Sequence, residues 1–130
     1  MTRNNADLGR LLLRIILGVC ILLHGIAKVQ GGVDGIGQAL TAHGLPAVLK
    51  YGVYVGEVIA PLLVLIGLYA RIGALLIAIN MLFAIWLVHA AEIFKLGQSG
   101  GWALELQGMY FVTAIALALL GPGRFGVNER

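Results

Sequence analysis

Apolar residues along this chain come in four long runs separated by short polar or glycine-rich breaks. The runs cover residues 8–29, 47–69, 72–91 and 102–120. Each is close to the ~20 residues that a helix needs to cross a hydrocarbon core ~30 Å thick. The pattern predicts an all-α fold, an integral membrane four-helix bundle in which residues 1–130 form a single membrane domain. The breaks carry stop signals. Gln30 to Leu45 is glycine-rich and ends at Pro46, Arg71 marks a tight turn, and Gly97, Gly100 and Gly101 interrupt helix. Gly121-Pro122-Gly123 closes the fourth run. Val33, Ile36, Ala39 and Leu40 recur at helical spacing, which predicts a short interfacial helix between spans one and two.

Composition agrees with this pattern. The chain is 60% hydrophobic and 12% charged, with mean hydropathy +0.96; a soluble domain carries about 25% charged residues. Charge this sparse cannot cover a water-facing surface, so the main partner is the lipid bilayer. Gly25-Ile26-Ala27 loosely imitates a signal cleavage site and Leu17-Gly18-Val19-Cys20 a lipidation box. Val before the Cys fits the box poorly, and we read the first run as a retained span. The nine basic residues form no cluster, which argues against a nucleic-acid partner. Four spans put both termini on one side with Arg3, Arg10, Arg71, Arg124 and Arg130, against Lys28, Lys50 and Lys95 on the other. The positive-inside rule then predicts cytoplasmic termini. Cys20 is a single thiol and cannot form an internal dithiol–disulfide couple.

Within a membrane the informative residues are those that hydrocarbon disfavours; a mid-bilayer charge costs about 2.5–3.5 kcal/mol on insertion scales. On the first helix Arg10, Arg14, Leu17, Gly18, Ile21, His24, Gly25 and Lys28 lie along one stripe, predicted to face the bundle. Arg10 reads as an interfacial anchor, whereas Arg14 and His24 are candidates for a packed or functional role. On the second helix Lys50, Tyr54, Glu57 and Pro61 share a face. Pro61 removes the N–H that would bond the Glu57 carbonyl, so a kink is expected beside a carboxyl group. Unpaired in lipid, Glu57 would hold a proton; paired with Arg14 or Lys28 it could stay ionised. A structural ion pair and a proton-handling or ligand-binding role both remain open for it.

His24, Lys28, His89, Glu92, Trp102 and Glu105 all fall toward the extracytoplasmic end in this topology, with Glu57 beneath them. The candidate ligand-binding or proton-handling set is therefore Arg14, His24, Lys28, Glu57, His89, Trp102 and Glu105. Trp102 and Trp86 have an alternative as interfacial belt residues. A bis-His haem would need His24 and His89 face to face, and a metal site would lack clustered ligand spacing; both are disfavoured. No phosphate loop or nucleophile elbow is present, so no independent catalytic motif is found.

Leu11-Leu12-Leu13-Arg14 through Leu23-His24-Gly25-Ile26-Ala27-Lys28, Val55-Gly56-Glu57 with the apolar segment to Gly67-Leu68, Gly101-Trp102-Ala103-Leu104-Glu105, and Gly121-Pro122-Gly123-Arg124-Phe125 follow one another in order and spacing. In these the chain resembles the DoxX family over nearly its whole length. It departs at Phe125-Gly126, where the family often has Tyr-Ser. The resemblance implies a four-helix bundle in a bacterial inner membrane and a link to respiratory or thiol redox systems, including the small membrane subunit of a thiosulfate:quinone oxidoreductase. It marks Arg14, His24, Lys28, Glu57, Trp102 and Glu105 as family-like polar positions. The leading expectation is an accessory or quinone- or small-molecule-binding component, with other membrane or redox proteins as partners and with Glu57 or Glu105 exchanging protons. The rival is a non-catalytic assembly or stress-response scaffold; a minimal transporter ranks third. Gly52 with Gly56, and Gly18 with Gly25, permit helix association within or between subunits, so a homo-oligomer is compatible with the pattern.

Overall fold

A computed structural model describes residues 3–128 of the chain. The helices are α1 (Arg3–Gly31), α2 (Asp34–Ala42), α3 (Ala47–Ile66), α4 (Ala70–Val88) and α5 (Glu105–Leu120). Among the described residues there is no strand, only an isolated antiparallel bridge between Leu96 and Trp102. By length and hydropathy α1, α3 and the Ala70–Leu87 part of α4 can each cross a membrane, while α5 is apolar and 16 residues long. The molecule is a membrane-embedded helical bundle, with α2 as the short helix between the first two spans.

Local chemistry explains the boundaries. Gly32, at φ +83°, ends α1, and its N–H still donates to the Lys28 carbonyl at 2.8 Å. Pro46 is extended and delivers the chain into α3. That helix is not regular: Ala47–Tyr51 is 3-10, Gly52–Tyr54 α, Val55–Ile59 π and Ala60–Ile66 α again. Pro61 cannot donate to the carbonyl four residues back, and the ladder widens to π spacing over the residues just before it. Gly67, left-handed at φ +72°, stops α3, and its N–H and that of Leu68 both donate to the Leu63 carbonyl. The fourth span starts as helix only at Glu105, because Trp102 and Ala103 are held by the preceding loop: Trp102 Nε1 donates to Ile93 O at 2.6 Å and Ala103 N to Lys95 O at 3.0 Å.

All four long helices contribute to one core. Leu17 and Ile21 of α1 meet Ala60 and Val64 of α3, Ala74, Ile77, Ala78 and Met81 of α4, and Ala114 and Leu117 of α5. The outer faces are as apolar as the core: Leu12 is 67% exposed, Met109 68% and Leu119 75%. In water such faces would aggregate; against lipid they need no cover. Packing between α1 and α3 depends on Gly25, where any Cβ would run into the Glu57 carbonyl. Residues 121–128 fold back over the α3–α4 turn. Val127 N donates to Ile66 O and Asn128 N to Gly67 O, both at 3.2 Å, and Asn128 Oδ1 accepts from Tyr69 N at 2.9 Å. That last bond supports Tyr69 in a left-handed conformation, φ +48°, which a side-chain-bearing residue seldom adopts.

Candidate functional site

The π stretch of α3 turns Glu57 inward, where it is 3% exposed. Both carboxylate oxygens have partners. Lys28 Nζ, from the last turn of α1, donates to Oε1 at 2.5 Å, and Asn80 Nδ2, from the middle of α4, donates to Oε2 at 3.0 Å. Of the two cationic partners open to Glu57, the fold selects Lys28. Three helices are thus tied by one carboxylate. Tyr54 OH adds a contact to the Lys28 carbonyl at 3.4 Å, and Gly56 brings the backbone of α3 against the Asn80 side chain.

Beside this triad lies a cavity of about 500 Å³, within the size range of small-molecule sites. Lys28, Glu57, Asn80 and His89 supply its polar groups, and its remaining walls are mostly aliphatic, with Phe83 among them. Ile36 and Leu40 of α2 close one side. Leu49, Val55, Ile79 and Phe83 line the cavity yet are also 41–49% exposed on the outer face of the bundle. The space therefore opens sideways, between α3 and α4, onto the surface that faces lipid. His89 is also bonded through Nδ1 to Glu92 Oε1 at 3.2 Å. The arrangement can receive a mostly apolar molecule laterally and present it with an ammonium, an amide, an imidazole and a carboxylate.

The other sequence candidates lie elsewhere. Arg14 is 1% exposed and about 21 Å from Lys28 along α1. Its guanidinium donates only to backbone: Nε to Val64 O and Nη2 to Leu65 O, both at 2.9 Å, and Nη1 to Pro122 O at 3.2 Å and Phe125 O at 3.4 Å. A cation at the carbonyl end of α3 fits the helix dipole and satisfies groups the helix leaves open. His24 is exposed and lies edge-on to Tyr110 of α5, with ring centroids 6.0 Å apart. Trp102 is tied to the loop at Ile93, and Glu105 is exposed on the first turn of α5, against Gly101. Of the seven candidate residues, three, Lys28, Glu57 and His89, thus stand at one cavity, and four, Arg14, His24, Trp102 and Glu105, lie outside it. Asn80 is the member that sequence reasoning missed. Its signal was present: an amide in the middle of the third apolar run is as conspicuous as a charge. Among the described residues no three His, Cys, Asp or Glu side chains are grouped to hold a metal ion.

The family model DoxX matches residues 9–90, which span α1 to α4 and the cavity. A candidate oxidoreductase of Bacillus subtilis, CatD, is 35% identical over 115 residues, covering 88% of this chain and 81% of that protein. An uncharacterized protein of Haemophilus influenzae is 30% identical over 126 residues, covering 87% of each. No solved structure matches the chain significantly.

Proposed function

This chain belongs to the DoxX family, and we propose that it is a redox-associated protein of a bacterial inner membrane that binds a quinone headgroup, or a similarly small substrate, in the Lys28–Glu57 cavity. The observation that carries the reading is a part-buried ion pair standing in the wall of a laterally open apolar cavity. The redox association is supported by the similarity to the Bacillus subtilis protein. A quinone has two carbonyl acceptors and an apolar tail. Lys28 Nζ and Asn80 Nδ2 are donors on the cavity wall, and the opening between α3 and α4 suits a tail arriving from lipid. Bound there, a quinone would supply two-electron, two-proton chemistry. The chain's own part is to position the headgroup and to hold a proton at the Glu57 carboxylate, with Lys28 released as that charge is neutralised. The electrons would come from a partner redox protein.

We further propose cytoplasmic termini. Arg10, Arg71 and Arg124 lie at one end of the bundle, and Lys28, Lys50 and Lys95 belong to the other; Arg130 lies outside the described residues. The scaffold reading has one observation of its own, since both Glu57 oxygens are already engaged within the protein. Titrating a short-chain quinone into the detergent-purified protein separates the two readings. Quinone binding predicts saturable affinity that falls at least about tenfold in Lys28→Gln, the loss expected of one charge-assisted contact, with helical content unchanged. No binding by the wild type, together with a lowered melting temperature for Glu57→Gln, would leave the scaffold.

A further inference from the structure

At the other end of the bundle three arginines gather where α5 finishes. Arg71 Nη1 donates to the carbonyls of Ala118 at 3.2 Å and Leu119 at 2.9 Å. Arg10 Nη1 pairs with Asp7 Oδ1 at 3.1 Å, and Arg124 Nε stands 3.9 Å from Asp7 Oδ2. Gly123 lies against both Asp7 and Arg10, which joins these groups into one cluster. Among the described residues one carboxylate, Asp7, faces the two guanidinium groups of Arg10 and Arg124, so positive charge is in excess there. Among the described residues Arg10 Nε and Asp7 Oδ2 are both buried with no hydrogen-bond partner, while the Arg10 side chain as a whole stays 26% exposed. The Arg124 side chain is 47% exposed.

From Arg10 an apolar groove of about 660 Å³ runs between α1 and α5, lined by Gly9, Leu12, Leu13, Ile16 and Leu120. Leu12 and Ile16 are among the most exposed apolar residues of α1, on the flank that lipid must cover. A cationic head joined to an apolar channel on a lipid-facing flank has the shape of one kind of occupant. We propose that this groove is a binding site for an anionic phospholipid, with its phosphodiester at Arg10 and Arg124 and one acyl chain along Leu13, Ile16 and Leu120. Basic pockets beside transmembrane helices recognise such headgroups by charge. A zwitterionic lipid would bring its own ammonium toward the arginines and lose part of the attraction. Arg14, one turn further along α1, adds no contact, because its guanidinium is occupied by four backbone carbonyls. The site does not depend on the cavity at the opposite end.

Native mass spectrometry of the whole protein, released from nanodiscs holding equal phosphatidylglycerol and phosphatidylcholine, tests this. Phosphatidylglycerol should be retained preferentially, and Arg124→Gln should lower its retention roughly fivefold, the effect of one basic residue near a charged headgroup. Ile16→Trp fills the groove without changing any charge and should displace the same lipid, whereas Lys95→Gln should leave it in place. Arg124 is exposed enough for its replacement to fold even if Arg10→Gln does not. Equal retention of the two lipids would overturn the proposal, as would unchanged preference in either Arg124→Gln or Ile16→Trp.

Discussion

Two cations on α1, the buried Arg14 and the part-buried Lys28, each reach across to α3, and they do opposite things. Arg14 gives every donor it uses to backbone oxygens: two on the last turn of α3, two in the C-terminal tail. Those carbonyls have no acid–base chemistry, and nothing about the contact can change with a ligand or a proton. Lys28 instead meets a side chain, Glu57, that can take up a proton, next to a cavity large enough for a molecule. Charge and helix are alike in both, although Lys28 is the more exposed of the two. The partner's chemistry, and the empty space beside it, divide a clamp from a site. The same test sorts the lesser groups: Arg71 caps α5 by its carbonyls, while His89 stands at the cavity.

The comparison breaks first at Arg14. Replacing it with Met should have the largest effect, about 3–5 kcal/mol of stability, because several backbone carbonyls lose their charged donor at about 1–3 kcal/mol for each group left unsatisfied. Unfolding in mixed micelles would show the loss. Arg14→Lys should recover only part of it, since a single ammonium cannot reach four carbonyls on two segments. Quinone affinity per folded molecule should be unchanged in both variants. A stable Arg14→Met protein with damaged ligand binding would reverse the assignment of the two ends.

Much of this division was written in the sequence, but unevenly. The inward stripe of α1 was legible from spacing, and Arg14, Leu17, Gly18, Ile21 and Gly25 are indeed buried. His24 sits on the edge of the same stripe and turns out to Tyr110, because a helical wheel gives direction only to within about a residue and cannot say where a neighbouring helix stops. Pro61 announced an irregularity at Glu57, though not that it would be π. The depth of Trp102 and Glu105 was readable from their place in the run. Their bearing around the bundle was not, because it depends on how residues 93–104 fold back, through Trp102 to Ile93 and Ala103 to Lys95. The tail was the least legible part. Gly67 and Gly126 come together over the α3–α4 turn, and the Arg14 bonds join residues 50, 51, 108 and 111 positions apart. Such pairing leaves no local periodicity to read.

A second, smaller break tests the Lys28 end. Gly25→Ala would set a methyl against the Glu57 carbonyl, a backbone atom with no rotamer by which to yield. Overpacking of this kind costs typically 1–3 kcal/mol. Here the displacement should also move the Glu57 carboxylate relative to Lys28 and Asn80, so quinone affinity should fall together with stability. The Arg14 variants should move stability alone. If Gly25→Ala lowers stability and leaves affinity intact, the cavity does not depend on the register between α1 and the π segment.

The smallest effect sharpens the same contrast from outside. Asp34, at the start of α2, pairs with Lys50 at 3.2 Å, but its side chain is 91% exposed. Pairs this exposed are screened by solvent and contribute little to stability, so Asp34→Asn should scarcely move the melting temperature. The pair nonetheless joins α2, which covers one side of the cavity through Ile36 and Leu40, to the start of α3. If α2 restricts entry, loosening it should change the rates of quinone association and release while their ratio stays nearly constant. Stopped-flow quenching of tryptophan fluorescence can follow this, because Trp86 packs against Phe83 of the cavity wall and against His43 just beyond α2. Unchanged rates in Asp34→Asn would mean that the lateral opening between α3 and α4 suffices for entry and that α2 acts only as a wall.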